Sequence, residues 1–198
     1  MASLPPLLID LPRNPVFAVG IPTILGMGAG LVTNKGKYGP ESLFEKTLTR
    51  PPYSPPKQAF GIVWPALFAA MGYGSHLIVK SLDKTPPGFG RQRANRALQL
   101  YYGQLFLNQI WTPIRFGFGQ LGLAFIDLTA LITTLGFWLY ETKDVSEKAF
   151  WLNVPYFLWS SYATYLSGAA WWLNGGETFV KTSIKKIVGG AKDKGKDL

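Results

Sequence analysis

One histidine, His76, and no cysteine in 198 residues leave little from which to build a catalytic or metal centre. Thiolate ligands, cysteine nucleophiles and disulfides are excluded together. A multi-histidine metal site is impossible, and no serine, histidine and acid stand in an arrangement suited to hydrolysis. What the chain offers instead is aromatic surface. Trp64, Phe68, Met71 and Ser75 follow spacings of four, three and four, as do Trp159, Ala163, Leu166 and Ala170, so each set shares one face of a helix. Such a stripe is either the packing face of a bundle or the wall of a binding site. Asp127 is an acid inside an apolar run, which is expensive in a membrane and marks either a functional group or a pair with a polar neighbour on another helix.

Those faces need helices to carry them. Charged residues make up 16% of the chain against 47% hydrophobic and 15% aromatic, too little charge to solvate a soluble surface of this size. Five apolar stretches, 16–32, 60–79, 97–116, 121–140 and 150–173, approach the roughly 20 residues that cross a bilayer. They predict an all-α fold, an integral membrane bundle of five transmembrane helices over residues 16–174. An N-terminal segment, 1–15, precedes it and a basic tail, 175–198, follows it. Trp138, Tyr140, Trp151, Trp171 and Trp172 collect near the predicted ends, where amphipathic rings favour the headgroup layer. Small residues at Gly26 and Gly30, Gly72 and Gly74, and Ser167 to Ala170 permit close helix approach, within the bundle or across a homodimer seam. In the tail, Val180, Ile184, Ile187 and Val188 stand at helical spacing against Lys181, Lys185 and Lys186, the pattern of a helix on an anionic membrane surface or of a frayed, solvated tail.

The net charge of +9 raises nucleic acid as a partner, but the lysines and arginines lie between and after the apolar stretches rather than along one helix face, which argues against it. The side holding the first connection and the tail carries 12 of the 20, a bias that places the C-terminus in the cytosol. The start of the chain shows neither the basic-then-apolar order of a secretory signal nor an arginine-rich amphipathic presequence, so targeting is expected from the helices themselves.

Between the first two stretches, Leu48-Thr49-Arg50-Pro51-Pro52-Tyr53-Ser54-Pro55-Pro56 has four prolines that fix φ and remove donors, predicting a stiff extended loop able to act as a lid. From this loop onward the chain resembles the translocator protein family, also called tryptophan-rich sensory protein or peripheral-type benzodiazepine receptor. The resemblance runs from Leu48 to Asn174. Its marks are the proline-rich loop; Val63-Trp64 with Met71-Gly72-Tyr73-Gly74-Ser75; Gln104-Leu105 and Leu107-Asn108 with Trp111 and Pro113; Gln120 and Gly122 with Asp127; and Pro155-Tyr156, Trp159 and Tyr162-Ala163-Thr164 with Leu166.

The resemblance implies a five-helix membrane bundle, often a homodimer, with a pocket beneath the first loop. It implies ligand binding by Trp64, Asn108, Trp159, Ala163 and Leu166, with Arg50, Pro51, Tyr53, Pro55 and Pro56 in the lid. Family members bind porphyrins and haem, and animal members also bind sterol. The leading expectation is therefore a receptor for tetrapyrroles, acting in their handling or in stress signalling, with porphyrin or haem as ligand and no required cofactor. A flat macrocycle would stack on Trp64 and Trp159 while Arg50 or Lys57 pairs its carboxylates. The alternatives are a sterol or lipid transport protein and a light-dependent porphyrin-degrading enzyme. The resemblance implies the mitochondrial outer membrane, with the endoplasmic reticulum as alternative. His76 would be an axial ligand to haem iron or a hydrogen-bonding group between helices.

The chain also departs from the animal pattern. Gln109 stands where a second tryptophan precedes Trp111, Leu123 replaces a pocket tryptophan of the fourth helix, and Gly168 and Trp172 occupy the tyrosine and arginine places of a proposed cholesterol motif. The loose pattern of Leu or Val, Tyr, and Lys or Arg recurs at Leu48, Tyr53 and Lys57 and at Leu135, Tyr140 and Lys143, all at loop or helix ends.

Overall fold

The structure is a computed structural model that describes residues 4–179. The basic pattern expected of the tail, Val180 to Val188, lies outside the described residues. The helices are α1 (Pro6–Arg13), α2 (Pro15–Asn34), α3 (Leu43–Thr47), α4 (Lys57–Lys84), α5 (Phe89–Thr112), α6 (Leu121–Val145) and α7 (Glu147–Trp171). There is no strand among the described residues. Five of the seven are long, at 20 to 28 residues, and each contains one of the five apolar stretches or most of it. The other two are short, and hydropathy gives no hint of them. α3, however, carries a local signal: Ser42 caps it, its Oγ accepting from Glu45 N at 3.1 Å, in a Ser-x-x-Glu sequence that favours helix starts.

Residues at the ends set the boundaries. Asn14 Oδ1 accepts from Val16 N at 2.9 Å and Pro15 opens α2, a donor-free residue where a donor would go unused. Ser146 Oγ accepts from Ala149 N at 3.3 Å to start α7 one residue after α6 ends. A π turn, Pro113–Gly117, follows α5, and Gly119 then takes φ 68°; a Cβ there would lie 2.6 Å from the Tyr38 ring, so glycine is required on both counts.

α4 is the hub, packing on α1, α2, α5 and α7, while α6 joins α5 to α7 and α2 closes against α5. Small residues serve these contacts inside the bundle: a Cβ on Gly72 would meet Ala18 O of α2 at 2.2 Å, and one on Gly168 would meet the Phe125 ring of α6 at 2.7 Å. The core lies where α4, α5, α6 and α7 meet, at Met71, Ile78, Leu82, Leu98, Tyr101, Leu131, Leu135 and Tyr156.

One expectation is corrected. Trp138 is not an interfacial belt residue: it is fully buried, 5.9 Å from the Tyr101 ring. α6 runs on to Val145, so position 138 is nearly two turns inside the helix, and it falls on the inward face that repeats Leu128, Leu131, Leu135 and Thr142. Tyr140 and Trp151, by contrast, are exposed. The outer faces of the bundle are apolar, with Val16, Ile24, Leu31, Val32, Ile62, Ile126 and Phe137 all exposed, which suits lipid and not water. Among the described residues three helices, α2, α4 and α6, are long and apolar enough by composition to cross a membrane. α5 opens with Arg91, Arg93 and Arg96, and α7 is rich in Trp, Tyr and Ser, which lowers the mean hydropathy of both.

Candidate functional site

The start of α4 and the later half of α7 meet beside the proline-rich loop, and their aromatic side chains touch there. Trp64 lies 5.7 Å from Phe68 on its own helix and edge-on to Tyr156 of α7 at 6.4 Å. Trp159 meets Phe60 of α4 and Tyr162, each at 5.7 Å. Trp64, Trp111 and Trp159 are half-buried and pack on the core, which includes Phe68 and Ala163. Edge-to-face contact satisfies the ring quadrupoles without interlocking the rings.

Beside the aromatic group runs a chain of hydrogen bonds across three helices. Asn108 Nδ2 donates to Tyr156 Oη at 2.8 Å, Tyr156 Oη donates to Gln104 Oε1 at 2.8 Å, and Gln104 Nε2 reaches Met71 Sδ at 3.3 Å. All four side chains are buried. In a bundle such a chain fixes the register of α4, α5 and α7, because any shift would strand a polar group in a medium that cannot solvate it.

The loop over residues 48–56 is extended at both ends, Leu48 at ψ 136° and Pro56 at ψ 143°, as its prolines dictate. It is fastened to α7 and the turn that follows. Tyr162 Oη donates to Tyr53 O, Tyr165 Oη lies 3.3 Å from Pro52 O, and the Asn174 amide bonds Thr49 twice, Thr49 N to Oδ1 at 2.8 Å and Nδ2 to Thr49 O at 3.0 Å. Tyr53 takes φ 61°, a strained position for a non-glycine residue. Its carbonyl is the one that Tyr162 holds.

Trp64, Asn108, Trp159 and Ala163 thus come together at the lid end. Leu166, half-buried, lies one turn nearer the end of α7. In the lid, Pro51 and Pro55 are half-buried and Arg50, Tyr53 and Pro56 exposed. Lys57 Nζ donates to Pro40 O at 2.6 Å, and Arg50 is exposed. A cation absent from the expected site is more deeply placed: Arg115 is buried, 2.7 Å from Glu45 Oε2 of α3 and 4.9 Å above the Phe116 ring, with Nη1 unpartnered among the described residues. Phe60, Phe68, Gln104, Trp111 and Tyr156 were also missed as site residues. Gln104, Trp111 and Tyr156 stand within the motifs that carry the family resemblance, and that was the available signal. Arg115 carries none.

Other buried polar atoms at this end also lack a partner among the described residues: Gln109 Nε2, Trp111 Nε1, Asp127 Oδ2, Trp159 Nε1 and Ser160 Oγ. His76 lies elsewhere, its Nδ1 donating to Pro12 O of α1 at 2.9 Å, a contact between helices. On the outer side of α6 and α7 a shallow apolar groove of about 470 Å³ is lined by Pro52, Phe125, Tyr165, Gly168, Trp172 and Leu173.

The proline-rich lid, the tryptophans beneath it and the Asn108–Tyr156–Gln104 chain all fall within residues 18–173, which match the sequence profile of the TspO/MBR family. The chain is 35% identical to the translocator protein of Ovis aries over 161 residues, 81% of this chain and 92% of that one. It is 40% identical to the human translocator protein over 124 residues, 63% and 70% of the two. It is 30% identical to the tryptophan-rich protein TspO of Bacillus cereus over 128 residues, 64% and 78%. With a profile match over most of its length and relatives in animals and bacteria alike, this all-helical membrane protein belongs to the TspO/MBR family.

Proposed function

We propose that the chain is a membrane receptor that binds a tetrapyrrole at the lid end of a bundle crossing the membrane five times, through α2, α4, α5, α6 and α7. The observation that carries this reading is that Trp64 and Trp159 meet the tyrosines of α7, Tyr156 and Tyr162, beside a loop held in place by Tyr162 and Asn174. A flat apolar ring system gains by stacking on indoles and by removal from water. The indole N–H groups of Trp111 and Trp159 and the Nε2 of Gln109 are buried donors without acceptors among the described residues, ready for the polar rim of such a ligand. Arg50 at the mouth serves its carboxylates. Handling of tetrapyrroles or stress signalling is the role that follows, at the mitochondrial outer membrane or the endoplasmic reticulum, with a homodimer as the assembled form.

The test is a titration of purified protein with protoporphyrin, read by quenching of tryptophan fluorescence, with a sterol as competitor. Saturable quenching that sterol does not displace supports the reading. Displacement by sterol at matched concentration would favour sterol binding at the same aromatic site. Loss of porphyrin absorbance under light would assign degradation instead.

A further inference from the structure

α1 precedes the residues that match the family profile, 18–173, yet it is part of the bundle. Leu4 and Ile9 pack on the apolar core, and Pro12 is buried. Its contacts follow from a proline inside a short helix. Pro12 has no N–H, so the carbonyl four residues earlier, that of Leu8, loses its intrahelical donor. Tyr102 Oη of α5 supplies one at 2.6 Å. The Pro12 carbonyl lies in the last turn, where no intrahelical donor reaches. His76 Nδ1 of α4 supplies that one at 2.9 Å. Arg13 then closes the end, its Nε 3.0 Å from Asp83 Oδ2 and its Nη2 2.9 Å from Oδ1, a two-pronged pairing at the far end of α4, with Asp10 also on the guanidinium.

We propose that α1 is a lateral seal: a segment of the same chain that closes the crevice where α2, α4 and α5 meet, opposite the lid, with Tyr102, His76 and Asp83 as its docking points. Each partner has a need that α1 meets. Tyr102 and His76 face outward from the core of four helices, and without α1 a hydroxyl and an imidazole would confront lipid with nothing to bond. α1 in turn carries two orphan carbonyls, and Tyr102 and His76 satisfy them. Lipid chains would enter the crevice if the seal lifted, and access to the bundle would no longer be confined to the lid end.

The chain has no cysteine, so a single introduced thiol reports on α1 without interference. Ile9→Cys is placed on the packed face and Leu7→Cys, where the leucine is 64% exposed, on the free face, each in the full chain in lipid nanodiscs. A maleimide that partitions into both lipid and water is expected to label position 9 about tenfold more slowly than position 7, and the pair Tyr102→Phe with Asp83→Asn to remove most of that difference, since the Tyr102 bond is lost and the Asp83 pair loses its charge and one of its two prongs. Equal labelling at 7 and 9 in the otherwise unchanged chain would overturn the seal, as would a position-9 rate that the release pair does not alter. Should Ile9→Cys itself lift α1, hydrogen exchange of the cysteine-free Tyr102→Phe, Asp83→Asn protein decides. Faster exchange in residues 76–84 and 99–103 with 128–135 unchanged supports a local seal. A uniform rise across all three, or none, refutes it.

Discussion

The two ends of the bundle are built on opposite principles. Opposite the lid, charge is paired and the interior is closely packed. Arg93 and Arg96 both bond Glu141, and Arg93 also meets Asp144, tying α5 to α6. Arg91 Nη1 caps α4 through Leu82 O at 3.0 Å and Thr85 O at 3.2 Å, and Arg13 holds Asp83. Inside this collar Ile78, Val79, Leu98, Leu135 and Trp138 are wholly excluded from solvent. At the lid end, buried polar atoms on Gln109, Trp111, Arg115, Asp127, Trp159 and Ser160 lack partners among the described residues, and Trp159 and Trp64 meet Phe60 and Tyr156 edge to face. Away from the lid, Trp138 Nε1 and Asn153 Oδ1 share that condition. A buried donor without an acceptor costs on the order of 1–3 kcal/mol. One end is therefore closed and tightly packed, while the other holds more of these unpartnered groups. The same residue type does different work in each, and substitutions at tryptophans separate the two roles.

The largest effect is expected from Trp138→Ala. The indole fills the centre of the closed end, and its removal leaves a cavity worth on the order of 3–5 kcal/mol. Thermal unfolding in detergent should show a large fall in midpoint, while porphyrin affinity of the surviving folded fraction stays within error of the parent. A marked loss of affinity in well-folded Trp138→Ala protein would dissolve the distinction between the ends.

Next come Trp64→Ala and Trp159→Ala, for which the order of effects reverses. Both side chains are half-buried and meet the tyrosines of α7 edge-on, so stability should fall less than for Trp138→Ala. Loss of one stacking partner is worth about 1–3 kcal/mol, a roughly five- to 150-fold rise in dissociation constant. Fluorescence titration of variants that elute as folded protein measures it. Unchanged affinity in both variants would remove tetrapyrrole from this end of the bundle.

These comparisons also mark how far the sequence could be read. The five long helices were legible because an apolar run of bilayer length, repeated five times, leaves no polar surface to cover it in water. So was the extended form of the loop over residues 48–56, because prolines restrict φ in any context. The depth of Trp138 was not: a tryptophan near the end of an apolar run reads as a belt residue unless helix phase is weighed above position, and Leu128, Leu131 and Leu135 already gave that phase. α1 escaped because eight residues with a proline near each end have too little helical propensity to notice; partners on α4 and α5, 64 to 94 residues away, hold it. The aromatic stripe on α4 was visible as a stripe, but its hydrogen-bonded neighbours, Gln104 and Tyr156, become a site only when three helices are assembled.

The smallest effect expected is that of Tyr162→Phe, and it sharpens the comparison because it touches the lid alone. The hydroxyl donates to Tyr53 O, the carbonyl of the one non-glycine residue with positive φ among the described residues. Without that bond Tyr53 is free to relax from φ 61°, and the loop keeps its fastening at Thr49 through Asn174. One neutral hydrogen bond at an exposed position contributes about 0.5–1.5 kcal/mol at most. The ring remains against Trp159 at 5.7 Å, so the stacking surface beneath the lid is unchanged. A loosened lid over an intact surface should therefore speed ligand entry and exit together, by roughly two- to tenfold, and leave the dissociation constant within about threefold of the parent. Stopped-flow quenching after mixing with protoporphyrin, and after dilution of the complex, gives both rates. If entry and exit are unaltered, the loop is packing and not a gate. If exit alone quickens, the Tyr162 hydroxyl holds the ligand-bound state in particular, and the loop belongs to the binding surface itself.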